Sequence, residues 1–124
     1  MKTLEGKKEI KDLNEDFAMA TGTENYYKHP IGYSYTDGVK MMAEKYKAYW
    51  LIDVVCSHQT KSIATIPFQI WEIVTDDSFR ATVEMKEDSN QPVLIRQKIP
   101  YTDFPEGNFK MYLIDKVLLL PSEY

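Results

Sequence analysis

The sequence of 124 residues is 44% hydrophobic and 27% charged, which is typical of one soluble globular domain and not of a disordered chain. Its 15 basic residues against 19 acidic ones give a net charge of −4, which argues against a general phosphate-binding surface. The single cysteine, Cys56, excludes an internal disulfide and favours a reducing cytoplasm.

The N-terminal segment supports the same localisation. Residues 1–17 are charged throughout and lack the apolar core of a signal peptide. No run in the sequence approaches the roughly 18 apolar residues of a membrane span. We therefore expect a single cytoplasmic domain over residues 1–124, without a membrane partner.

Residues 1–20 are predicted to form an amphipathic N-terminal helix. Apolar side chains recur at helical spacing within residues 9–20, and Gly22 follows as a helix terminator. The apolar positions are Ile10, Leu13, Phe17 and Ala20.

Residues 21–60 are predicted to hold a tyrosine-rich connection followed by central helices. The connection, residues 24–35, contains four tyrosines, a proline and a glycine, so we expect irregular structure with one short helical turn and one short extended piece. A helix then begins near Thr36 or Asp37, either of which suits an N-cap. The next segment, residues 48–59, is apolar on nearly every side and indicates a helix buried in the domain centre.

Residues 67–120 are predicted to form an antiparallel meander. The segments 67–74, 79–86 and 92–99 have strand length and alternate apolar with polar residues, and two further strands are expected at about 109–113 and 117–120. Helices first and strands second indicate an α+β fold, with the N-terminal helices packed on one face of a mainly antiparallel sheet of about five strands.

The central helix contains residues of catalytic type. Asp53 interrupts the apolar run, and we expect it to be a buried polar residue with a hydrogen-bond partner. Asp53 and His58 lie about 140° apart around a helix axis, so they do not pair within it. An alternative is a small hydrolase that uses Asp53 with His29 or His58 as acid and base. No pair of His or Cys residues has zinc-ligand spacing, so we expect no metal and no cofactor.

Two surfaces are candidates for protein binding. The dense tyrosines are expected to pack in the core or in loops or, as the alternative, to form a protein interface, because each ring has one apolar and one polar end. Arginine is absent from that part of the chain, so nucleic acid is the less favoured partner. The tyrosine face consists of Tyr26, Tyr27, His29, Tyr33 and Tyr35. The acidic patch, placed around one hairpin, consists of Asp76, Asp77, Glu87 and Asp88.

Several short motifs resemble an uncharacterised family of small bacterial proteins that is met on plasmids and in phage genomes. They are GTE-x-YY-x-H, YTDGV, AYWLID, SHQ, YTDFP and the terminal LLLPSEY, within roughly residues 20–124. The resemblance implies a compact α+β domain from a mobile genetic element and no established activity. Such elements carry many small proteins that modulate host factors, so we favour a non-enzymatic protein-binding modulator over an enzyme. An inhibitor of a host defence or nucleic-acid-handling protein, acting through the acidic patch, and a homo-oligomer both stay open.

Overall fold

The structure is a computed structural model that describes residues 10–124. Its helices are α1 (Asp37–Lys45), α2 (Tyr49–Ser57) and α3 (Lys61–Ala64), and single 3-10 turns lie at Leu13–Phe17 and Pro121–Glu123. Its strands are β1 (Tyr26–Lys28), β2 (Ser34–Thr36), β3 (Phe68–Thr75), β4 (Ala81–Lys86), β5 (Val93–Ile99), β6 (Gly107–Ile114) and β7 (Val117–Leu119).

The strands form one seven-stranded sheet in the order β1-β2-β7-β6-β3-β4-β5. All neighbouring strands are antiparallel except β2 and β7, which are parallel. The α+β class is therefore confirmed, but the predicted number of about five strands is too low. The two additional strands are β1 and β2, which form a short hairpin where one short helical turn and one short extended piece were expected.

The core lies between one face of the sheet and the helices. Alternate residues of β3, β4 and β6 are buried, including Trp71, Val83 and Phe109, while their neighbours are partly exposed on the opposite face. The side of α2 that carries Leu51 and Val55 packs into the same cluster. This arrangement follows from the two-residue period of a strand and the 3.6-residue period of a helix.

The prediction of an N-terminal helix is wrong for residues 10–20. Residues 1–9 of that prediction lie outside the residues that the structure describes. Residues 10–20 contain only a single 3-10 turn, with Asp12 as its cap. The reason is attachment to β6: Asp12 forms a bridge with Asn108, and the Asn14 side chain exchanges two hydrogen bonds with the backbone of Lys110. A continuous helix would give up these contacts.

Candidate functional site

Asp37, the first residue of α1, organises the tyrosine-rich hairpin. Its carboxylate accepts hydrogen bonds from the backbone N–H groups of Glu24 (3.0 Å) and Asn25 (3.2 Å) and from the hydroxyl of Tyr27 (2.8 Å). The Glu24 bond, followed by the Tyr27 bond, lowers the pKa of Asp37, and the same hydroxyl bond raises the pKa of Tyr27. Tyr27 therefore belongs to the internal framework.

Most other residues of the predicted tyrosine face also contact groups within the protein. The rings of Tyr27 and Tyr35 contact each other at 5.6 Å between centroids, and the Lys40 amine lies 4.7 Å from the centre of the Tyr27 ring. Tyr33 is half-buried, and its burial raises its pKa. Of the five predicted residues, Tyr26 alone is classed as exposed, at 59%.

His29 and Asp53 come together, although they are 24 positions apart. His29 Nε2 lies 2.8 Å from Asp53 Oδ1, and His29 Nδ1 accepts a bond from the backbone N–H of Ile31 at 3.3 Å. Because Nδ1 is an acceptor, the proton lies on Nε2 and is donated to Asp53. Both ring nitrogens are thus engaged, and the pair joins the β1–β2 hairpin loop to α2.

Asp53 is not buried as predicted, since its side chain is 70% exposed. The buried residues of α2 are Leu51, Ile52, Val55 and Cys56, which occupy one side of the helix. Asp53 and Ser57 lie on the other side, together with the partly exposed Trp50 and Val54. The segment has apolar residues on both sides, but only one side of the helix faces the core.

The remaining residues of catalytic type are buried or bonded to groups other than His29 and Asp53. His58 Nε2 lies 2.6 Å from Gln97 Oε1, and its ring contacts that of Trp71. Cys56 is 5% exposed, and burial raises the pKa of its thiol to about 11, so little thiolate is present at neutral pH. Ser57 Oγ donates to the backbone carbonyl of Val54.

The predicted acidic patch is not one patch. Asp76 and Asp77 lie in the β3–β4 turn, whereas Glu87 and Asp88 lie in the β4–β5 turn at the opposite end of β4. A six-residue strand separates the two turns by about 17 Å. Asp76 also pairs with Arg80 at 3.3 Å, and its pKa is lowered, mainly by the backbone N–H of Arg80.

A groove of about 710 Å³ lies between the junction of α1 with α2 and the loop after β5. Its lining includes Lys45, Tyr46, Lys47, Trp50, Ile99, Tyr101, Thr102, Asp103, Phe104 and Pro105. The Phe104 ring forms its floor, packed edge-on against Tyr46 (5.1 Å) and Trp50 (6.3 Å). The Tyr46 hydroxyl donates to Asp16 at 2.5 Å, and burial is the main reason that its pKa is raised.

The rim of this aromatic groove carries exposed aromatic and basic groups. Tyr101 is 68% exposed and contacts Phe79, which is 56% exposed, at 5.8 Å between ring centroids. The Lys45 amine lies 5.7 Å from the centre of the Phe17 ring. Lys47, two positions after Lys45, is also exposed. Asp103 accepts a bond from the Tyr101 hydroxyl at 3.3 Å.

Two rim residues have left-handed backbone conformations that favour glycine. Lys47 has φ 53°, and Phe79 has φ 64°. Each costs about 1–2 kcal/mol for a residue with a Cβ. Strained positions of this kind gather at functional sites, so a lysine and a phenylalanine here point to a role for their side chains.

Comparison with known proteins identifies the family. The model of the Family of unknown function (DUF6876) matches residues 11–124. The chain belongs to this family. No curated protein and no solved structure matches it.

Several motifs quoted above have structural roles in this member of DUF6876. Glu123, in the terminal LLLPSEY, accepts bonds from the Thr36 hydroxyl (2.6 Å) and from the backbone N–H groups of Gly38 (3.0 Å) and Leu120 (2.9 Å). Gln59, in SHQ, pairs with the buried Gln69 through both amide groups. YTDFP differs, because all five of its residues line the aromatic groove.

Sequence reasoning did not find this groove in the DUF6876 chain. Its residues come from two segments, 45–50 and 99–105, which are far apart in the sequence. The one available signal was that Trp50 shares a helical side with Asp53 and Ser57. Within residues 10–124, no helix has the length and apolar character needed to cross a membrane, and no group of three or more His, Cys, Asp and Glu side chains is arranged to hold a metal ion.

Proposed function

We propose that this chain is a small, non-enzymatic protein-binding module and that the aromatic groove is its binding surface. The observation that carries the proposal is the rim, where the exposed Lys47 and the exposed Phe79 have strained backbone conformations and the Tyr101 ring is exposed beside Phe79. Neither the fold nor the core needs those side chains. Their exposure is explained if a partner covers them.

The chemistry of the groove suits a protein partner. Tyr and Trp are enriched among the residues that dominate binding energy in protein interfaces, because they supply a large contact area with few rotatable bonds. Trp50, Phe104 and Tyr101 form such a wall around a concave site that is large enough for one or two side chains. We propose that the partner inserts an apolar or aromatic side chain between them.

A hydrolase is the weaker interpretation, although His29 and Asp53 do meet. A general base needs a free ring nitrogen directed at a substrate proton. His29 uses Nδ1 for the Ile31 backbone and Nε2 for Asp53. The cavity lined by Tyr33 includes neither His29 nor Asp53.

The resemblance of the sequence motifs to proteins of mobile genetic elements supports a cellular role. We propose a cytoplasmic modulator of a host protein, carried by a bacterial plasmid or phage. The version in which an acidic patch imitates nucleic acid is less supported, because Asp76 and Glu87 lie at opposite ends of β4. The tyrosine face is the second candidate surface through Tyr26.

Two matched tyrosine substitutions compare these surfaces. Tyr101→Ala and Tyr26→Ala each remove one exposed ring, of 68% and 59% exposure, beside opposite edges of the sheet. Affinity purification from bacterial lysate, followed by mass spectrometry, should show one or more partners that the wild type and Tyr26→Ala retain and Tyr101→Ala loses. Loss with Tyr26→Ala alone would move the site to the tyrosine face, and identical partners for all three proteins would refute both surfaces.

A further inference from the structure

Strand β5 is an open edge of the sheet. It pairs with β4 on one side, and within residues 10–124 no strand pairs with its other side. None of its seven residues is buried, and exposed and partly exposed residues alternate along it. An open edge of this length presents a row of backbone donors and acceptors that another extended chain can use.

The two faces of β5 have different chemistry. Leu94, Arg96 and Lys98 are exposed on the open face, whereas Ile95, Gln97 and Ile99 point toward the helices. Ile99 also lines the aromatic groove, so the helix-side row of β5 leads directly into it. A strand added to this edge would have one row of side chains beside isoleucines and the other beside basic groups.

A second copy of this chain does not fit the edge. Two copies could pair through their β5 strands with all helices on one face of the joined sheet. Arg96 and Lys98 of both copies would then lie together on the other face. Like charges that face each other across strands are destabilising. Arg96 already has a partner within the chain, Glu84 at 2.7 Å, but Lys98 has the hydroxyl of Thr82 as its cross-strand neighbour and not an acid.

We infer that the β5 edge binds an extended segment of the partner protein in which acidic and apolar residues alternate. The acidic residues lie on the face of Arg96 and Lys98, and the apolar residues continue the row of Ile95 and Ile99. The end of the segment then enters the aromatic groove. This inference rests on the proposed protein-binding function and names the chemistry and the binding mode of the partner.

Selection from a random decapeptide library displayed on phage, with the full chain as bait, tests the inference without knowledge of the partner. The selected peptides should alternate acidic with apolar residues. In synthetic versions, N-methylation at every second position should weaken binding about tenfold, and the intervening positions should tolerate it, because a strand directs only alternate N–H groups to one neighbour. Exchange of β5 amide protons should slow when the peptide binds.

Reversal of the charge at Lys98 tests whether the bound peptide places acidic residues beside that lysine. Lys98→Glu should weaken binding of the selected peptide about three- to tenfold. Lys28→Glu is the matched control, since it makes the same charge change at an exposed lysine of β1, on the opposite edge of the sheet, and should leave the affinity within about twofold.

The outcomes separate this inference from the proposed function. An N-methylation pattern without alternation, equal effects of Lys98→Glu and Lys28→Glu, or selection of no peptide would overturn strand addition. If the peptide binds and Tyr101→Ala still removes that binding, the groove survives as the site and only the strand mode is lost. If Tyr101→Ala leaves peptide binding intact while N-methylation alternates, the edge stands and the groove does not.

Discussion

Lys47 occupies a left-handed position after a helix, where glycine is the usual residue. It follows the last turn of α1 in the left-handed conformation, and the N–H of Ala48 bonds back to the carbonyl of Ala43 at 2.8 Å, which defines a Schellman motif. A side chain with a Cβ costs about 1 kcal/mol there. In return, the Lys47 amine stands at the rim of the aromatic groove.

Lys47→Gly should therefore stabilise the fold while weakening the groove. We expect the free energy of unfolding to rise by about 0.5–1 kcal/mol, measured by urea denaturation, because relief of backbone strain exceeds the added entropy of the unfolded chain. Lys45→Gly, within α1, should lower it by a similar amount. A less stable Lys47→Gly protein would contradict the strain argument.

Asp37 should make stability depend on pH in the acidic range. Its folded-state pKa lies below the ordinary value of 3.8, mainly because of the Glu24 N–H bond. A lowered pKa contributes stability that is present above 3.8 and is lost as the pH falls through the lowered value.

Asp37→Asn removes this titration. The urea midpoint of the wild type should exceed that of Asp37→Asn most at neutral pH, and the difference should shrink as the pH falls below 3.8. Tyr27→Phe, which keeps the two backbone donors, should retain part of the dependence. A difference that stays constant from neutral pH down to about pH 3 would show that the charge of Asp37 has no role.

At the scale of elements, the sequence predicts those whose pattern is local. The strands from Phe68 onward follow from residue type and period, whereas the helix over Tyr49–Ser57 follows from the length of its apolar run and its continuity with the preceding helical pattern. The three-residue strands β1 and β2 do not, because so short a strand has no measurable period and forms through its partners. The exposure of Asp53 was not predicted for a related reason. The α2 segment has apolar residues on nearly all of its sides, and only its packing against the sheet decides which side is buried.

The buried glutamine pair joins three elements that sequence patterns treat separately. Gln69, 2% exposed on β3, donates to the carbonyls of Ile63 and Ile66 around α3 and exchanges bonds with Gln59 after α2. Its carbonyl also accepts the indole N–H of Trp71 at 2.9 Å. The Trp71 indole is buried and the other partners are partly buried, so each loses its bond if Gln69 is replaced by an apolar residue.

Gln69→Leu should destabilise the fold strongly although leucine fits a core. We expect a loss of about 2–4 kcal/mol, since several buried donors and acceptors are left without partners. Gln91→Leu, at an exposed site in the β4–β5 turn, should change stability by less than about 0.5 kcal/mol. Urea unfolding followed by tryptophan fluorescence measures both, and equal stabilities of the two variants would refute the role of the glutamine pair.

At the scale of the whole molecule, contacts distant in sequence set both the sheet and the site. The parallel pairing of β2 with β7 joins the hairpin near residue 30 to strands more than 80 positions later. Gly38 lets the chain end approach α1, because a Cβ there would lie 2.7 Å from Glu123 Oε1. The aromatic groove likewise unites two distant segments, 45–50 and 99–105. The residue types in the sequence showed that aromatic and polar side chains are present. Which of them lie together is determined by the fold.

Glu123 is the residue on which this closure depends, and its replacement tests it. Its carboxylate accepts bonds from Thr36, Gly38 and Leu120 at the positive N-terminal end of α1, so Glu123→Ala should cost about 2 kcal/mol. Glu87→Ala, an exposed acid in the β4–β5 turn, should cost less than about 0.5 kcal/mol. Amide exchange should also accelerate together in β2, the first turn of α1 and β7. Faster exchange confined to the last turn of the chain would mean that Glu123 holds only its own segment and that the sheet closes without it.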